Sequence, residues 1–143
     1  MDPDWRPSHA YVPGRSPRHP EGLFDPLKAD VSGASLSDLH RTRAFAAGLG
    51  FLADGFFWEA HEVLEAVWMA CPEGSAERLL VQGLIQGANA SLKARMDRPK
   101  AQARLEDMAR DLIDAAFAGG VKVILGLSYD SAMRSVFLQN SAQ

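Results

Sequence analysis

The chain has a single cysteine, Cys71, so no disulfide can form within it, and a lone thiol suits a reducing cytoplasm. It has no long apolar run: nothing approaches the ~20 residues that a membrane-spanning helix needs. The N-terminal stretch carries prolines and charges where a secretory signal would be apolar. Positive charge is not in excess either. Fifteen lysines and arginines face eighteen aspartates and glutamates, a net charge of −3, which gives no bulk field for nucleic acid or anionic lipid. There is no Gly-rich phosphate loop, no nucleophile elbow and no cysteine–histidine pair in a suitable context. The expectation is a soluble cytoplasmic protein without nucleic-acid or membrane partners.

What is present is a chain of 143 residues, 47% hydrophobic and 23% charged, enough for one core without a structural metal. Proline is unevenly spread. Pro3, Pro7, Pro13, Pro17, Pro20 and Pro26 interrupt any helical ladder in residues 1–33, and Gly14, Gly22 and Gly33 add turns. Trp5, Tyr11, Val12, Leu23 and Phe24 are apolar anchors that a solvated tail would not need. Residues 1–33 therefore read as an extended Pro-rich arm packed on the body, and 34–143 as a single helical domain. His9, Arg15, Arg18 and His19 make the arm locally basic, suited to an acidic helix.

The body reads as all-α. A first helix is expected from Ser35 or Ser37 to Asp54, with Leu39, Phe45, Ala46, Leu49 and Leu52 as its apolar stripe and Gly55 as its left-handed cap. A second runs from about Phe56 to Ala70, broken by Cys71-Pro72. A third, capped by Ser75, carries Leu80, Leu84, Ala88 and Leu92 to about Met96. A fourth starts at Pro99, where the missing N–H costs nothing, and shows Ala101, Leu105, Met108, Leu112 and Ala115 at 4-3-4-3 spacing. Val121 to Leu125 reads as an apolar connection packing into the core, and a short last helix covers about Asp130 to Leu138, with Met133, Val136 and Phe137 inward. The architecture is a compact bundle of four main helices plus a short C-terminal one. The two helical hairpins resemble a tetratricopeptide-like array, but their turns lie 43 residues apart and a compact bundle fits better.

The second helix concentrates the chemistry. On a helical projection Phe56, Ala60, Val63, Leu64 and Val67 face the core, His61, Glu65 and Trp68 sit at one edge, and Trp58 and Glu62 lie further round. Glu59 is expected to point to solvent. The third helix carries Arg78, Gln82, Gln86, Asn89 and Lys93 at 4-4-3-4 spacing, and amides among Leu and Ile need partners. The expectation is that this stripe faces His61, Glu62 and Glu65, forming a structural polar network or a small-ligand pocket with Trp58, Trp68, Arg18 and His19 nearby. Two carboxylates in a water-poor groove suit an acid–base or hydrolase-type enzyme, with His61, Glu62 and Glu65 as candidate catalytic residues. His61 and Glu65 at i, i+4 also suit a divalent metal, although Glu65 stands where the second histidine of a His-Glu-x-x-His helix would be. A third reading is a protein-binding or self-assembling module, which includes a homo-oligomer. The cofactor, if any, is not defined by these residues.

The run Phe57-Trp58-Glu59-Ala60-His61-Glu62-Val63-Leu64-Glu65, ending at Trp68, with the later Leu80-Val81-Gln82-Gly83-Leu84-Ile85-Gln86, resembles the family called domain of unknown function 309. The resemblance covers about Phe51 to Leu105, and the arm from Tyr11 to Pro20 is similar to the leader of a bacterial branch. It implies a small all-α fold and points to Glu59, His61, Glu62, Glu65, Trp68, Gln82 and Gln86; it implies no activity. Family members often carry a histidine near the end of the third helix, where this chain has Ser91-Leu92-Lys93.

Overall fold

Gly55, Pro72 and Pro99 divide the helical body where the chain breaks its own hydrogen-bond ladder. The computed structural model describes residues 1–141, with side chains described as far as Phe137. Its elements are α1 (Asp25–Lys28), a 3₁₀ helix (Leu36–Arg41), α2 (Arg43–Asp54), α3 (Phe57–Ala70), α4 (Ala76–Arg95), α5 (Pro99–Phe117) and α6 (Tyr129–Ser141). Gly55 has φ 86° and donates its N–H to Phe51 O, closing α2 in a left-handed cap. The Ser75 side chain accepts from Arg78 N and opens α4. Pro99 occupies the first turn of α5, as expected.

The first helix does not begin at Ser35 or Ser37. Leu36–Arg41 is 3₁₀, and the α-helical ladder restarts at Thr42. Thr42 Oγ1 donates to Leu39 O at 2.7 Å and accepts from Phe45 N, so one buried hydroxyl ends one element and caps the next. The restart rotates the apolar stripe. Phe45, Gly48, Phe51 and Leu52 face inward, whereas Ala46 is exposed. Gly48 lets α3 close in, since a Cβ there would stand 2.5 Å from Leu64 Cδ2. A Cβ on Gly87 would collide with Val136 in the same way, which fixes the approach of α6 to α4.

α4 is the central helix, packed against α3, α5 and α6, while α6 also touches α2 and α5 and so closes the bundle. Phe51, Leu64, Leu80, Leu84 and Ile113 are fully buried where these helices meet. Each such side chain contributes roughly 1.5–3 kcal/mol relative to exposure. The segment from Val121 to Leu125 only half enters the core. Val121 and Val123 are more than half exposed; Ile124 and Leu125 are buried around an isolated bridge between Ile124 and Leu127. The bridge uses both backbone bonds of a two-residue turn, which places Leu125 at φ 50° and Gly126 at φ 76°.

The arm lies on the body. It is not wholly extended: α1 interrupts it, and Leu27 and Val31, outside the expected anchors, are both buried in the core. Tyr11 and Phe24 are buried as well, with Phe24 edge-on to Phe51 of α2. Arg6 Nε donates to Asp54 at 2.8 Å and Arg15 pairs with Asp97 at 2.6 Å, so the arm is tied to the C-terminal ends of α2 and α4, which meet where Arg95 approaches Gly55. No helix among the described residues is long and apolar enough to cross a membrane.

Candidate functional site

Glu59 sits in the first turn of α3, where a carboxylate meets the positive end of the helix dipole. The helical projection sends it to solvent. The structure buries it completely, because the arm supplies a second wall that the projection of a single helix does not contain. Tyr11 N–H donates to Glu59 Oε2 at 2.7 Å, and His19 Nε2 stands 2.6 Å from the same oxygen. The other oxygen, Oε1, is buried without a hydrogen-bond partner among the described residues. A buried carboxylate held on one oxygen only is costly unless paired with a positive group, and His19 is the titratable partner at hand.

His19 is packed by aromatic rings. Its imidazole is 4.7 Å from that of His9, 5.2 Å from Phe24 and 6.1 Å from Trp58, centroid to centroid. Trp58 in turn is edge-on to Tyr11 at 5.3 Å. The rings of Tyr11, His19, Phe24 and Trp58 form one wall of a cleft of about 650 Å³ between the arm and α3. Arg18, His19, Glu21, Asp25, Lys28 and Glu62 bring the polar groups to it. Lys28 Nζ donates to Glu62 Oε2 at 2.8 Å, so that pair is internally neutral. Arg18 has its guanidinium 5.9 Å from the centre of the Tyr11 ring and no carboxylate partner among the described residues.

Of the residues singled out from sequence, the cleft gathers Arg18, His19, Trp58 and Glu62. The others lie elsewhere. His61 Nε2 and Glu65 Oε2 are 3.0 Å apart on the outer edge of α3, both open to solvent. Trp68 is stacked by Arg78 at 4.0 Å, and its indole N–H is buried without a partner among the described residues. Arg78 and Gln82 line a separate shallow hollow with Glu73 and Ser75. Asn89 Nδ2 donates to Gln86 Oε1 at 3.3 Å within α4. The two polar stripes are thus not joined by hydrogen bonds among the described residues: Glu62 takes Lys28 from α1, and Asn89 takes Gln86. Among the described residues no three His, Cys, Asp or Glu side chains converge as a metal site requires, so the His61/Glu65 pair has no third ligand.

Tyr11, Glu21, Asp25 and Lys28 line the cleft without having been singled out as site residues from sequence, and the inward turn of Glu59 was not expected either. The signal available was the apolar anchors of the arm: a Tyr and a Phe flanking a histidine need a surface to cover, and α3 is the acidic one.

The fold is that of an all-α protein with an arm-covered cleft against its second main helix. Residues 45–105 match the model of the family described as Domain of unknown function (DUF309), so the helical body from α2 into α5 resembles that family. No match was found among curated proteins or among solved structures.

Proposed function

We propose that the protein is a cytoplasmic small-ligand-binding protein whose site is the cleft between the N-terminal arm and α3. In this reading residues 34–143 are the single helical domain and residues 1–33 complete its site. The observation that carries the proposal is the fully buried Glu59, which fastens Tyr11 and His19 across α3 and leaves beside them a cleft of about 650 Å³. That volume falls within the range of small-molecule sites, and an apolar wall with a few convergent polar groups is their usual lining. A flat ligand would stack on Trp58, with Arg18 and His19 offering polar contacts. The charged groups at the cleft are Arg18, Lys28, Glu21, Asp25 and Glu62; with Lys28 and Glu62 paired, one cation remains against two carboxylates, which favours a neutral ligand over an anionic one.

The test is a fragment screen by ligand-observed NMR against the wild type and Trp58→Ala. Neutral aromatic fragments are expected to bind the wild type and to lose about tenfold or more in affinity in the variant, a 1.4 kcal/mol difference being a factor of ten. Fragments that bind both proteins equally would put the site elsewhere.

A further inference from the structure

We infer that His19 is a proton-accepting residue at the cleft, that Glu59 is the positioning residue which holds its ring, and that the substrate class is a small neutral acyl ester carrying a flat group. This rests on the reading of the cleft as a ligand site. The two ring nitrogens of His19 have different surroundings. Nε2 is 2.6 Å from a carboxylate that is fully buried, so with Glu59 ionised it is Nε2 that carries the proton and donates. Nδ1 then keeps its lone pair, and it has no hydrogen-bond partner among the described residues. The imidazole side chain is only 4% exposed, yet His19 lines the cleft, so Nδ1 is the nitrogen left for a molecule held there. A buried carboxylate that fixes the tautomer and compensates the imidazolium is the logic of a base held by an orienting group.

Glu59 is suited to that role for a second reason. Its Oε2 is also held by Tyr11 N–H, so the carboxylate cannot swing away from the ring without breaking a backbone bond. The ring itself is clamped between His9, Phe24 and Trp58. The remaining charged groups around the cleft are Arg18, Glu21, Asp25, Lys28 and Glu62, and of these Arg18 is the cation with no carboxylate partner among the described residues.

The reaction this arrangement suits is hydrolysis. His19 Nδ1 takes a proton from a water as its O–H bond breaks, and the oxygen forms a bond to the acyl carbon. The carbonyl π pair moves onto the carbonyl oxygen, whose negative charge Arg18 is the free cation to meet. Collapse restores the carbonyl and breaks the bond to the leaving alkoxide or phenoxide, which departs with the electron pair and takes the proton back from Nδ1 when it is basic enough; when it is not, as with nitrophenolate, the proton passes from Nδ1 to water.

The experiment uses 4-nitrophenyl acetate, a small neutral aromatic ester, with the full chain as wild type, His19→Ala, Glu59→Gln and His40→Ala. His40 lines a different hollow with Leu36 and Glu77. The wild type is expected to release nitrophenolate above the buffer rate. His19→Ala is expected to lose on the order of 100-fold in kcat/KM, and His40→Ala to lose nothing. Glu59→Gln is expected to lose rate with its fold retained by circular dichroism, because the amide oxygen still accepts from Tyr11 N–H and Nε2–H but carries no negative charge to compensate the imidazolium formed when Nδ1 takes a proton. Long-range proton–nitrogen NMR of His19 reads the tautomer directly, with Nε2–H expected in the wild type. The wild-type spectrum needs no variant to fold, and a wild-type ring protonated at Nδ1 alone overturns the assignment. So does a wild type no faster than buffer, or a folded His19→Ala as active as the wild type. If cleft-directed fragments bind while any of these results is found, the pocket stands and the base falls; if no fragment depends on Trp58, both fall.

Discussion

Cys71 and Glu59 are both buried, and each bears the cost of burial in its own way. The Cys71 thiol remains neutral: burial, with Glu77 adding to it, pushes its pKa up from 9.0 to about 11. Below pH 9 both folded and unfolded chains hold this proton and stability does not depend on it. Between about pH 9 and about pH 11 the unfolded thiol ionises while the folded one does not, so stability falls as pH rises through that window. Tyr129, whose phenol is also pushed up from 10.0 by its bond to Asp114, adds a slope of the same sign at the alkaline end. Urea unfolding from pH 8 to pH 11 is expected to show the decline, and Cys71→Ser, whose hydroxyl does not titrate there, to make it shallower. An equally steep decline in the variant would remove the thiol as its cause. Glu59 was legible in sequence as a residue of note but not as a buried one. A helical projection sees one helix against one core, and the wall that covers Glu59 is an irregular segment with no periodicity to read.

At the scale of elements, the helices with strong period and clear breakers were legible: α3, α4 and α5 have the expected ends because Gly55, Pro72, Ser75 and Pro99 act through local geometry alone. The start of α2 was not. Ser35-x-x-Asp38 looks like a cap, yet Ser35 Oγ bonds Asp38 and Ser37 side chains, while Thr42 does the capping seven residues later. What decides is burial of Leu39, which draws the 3₁₀ turn inward and obliges the chain to restart. Thr42→Ala is therefore expected to cost about 1–2 kcal/mol in chemical denaturation, at the upper end for a cap because its hydroxyl also satisfies Leu39 O. Ser37→Ala, on the surface, is expected to change stability by less than about 0.5 kcal/mol. Equal effects would mean that the helix is capped from Ser37 after all. The polar stripe of α4 meets α3 through Arg78 on Trp68, while Glu62 takes Lys28, which lies on a one-turn helix too short to announce itself in sequence.

At the scale of the whole molecule, the class of fold followed from periodicity and the position of the cleft did not, since the cleft is made by two segments far apart in sequence. The arm is held by side-chain contacts and single backbone bonds, the body by helical ladders around α4. Hydrogen exchange read by mass spectrometry is expected to reflect that. Amides of α4 between Leu80 and Ala88 should exchange slowest, near the global limit, and the Tyr11 amide should be protected yet faster, exchanging together with its neighbours in the arm. Exchange of Tyr11 at the rate of an unstructured peptide would mean that the arm is not held by Glu59.

The Glu59 contacts reach back 40 residues to His19 and 48 to Tyr11. During synthesis the arm leaves the ribosome before its partner on α3 has been made, and it must wait in water with its aromatic rings uncovered. Its six prolines keep it from settling into a helix or pairing as a strand in the meantime. Helical hairpins that need only local contacts can form first, and the 40-residue loop closes on them later. The cleft thus comes into being when the earlier-made arm docks on the later-made α3, and whatever molecule occupies it would hold shut the loop that this docking closes.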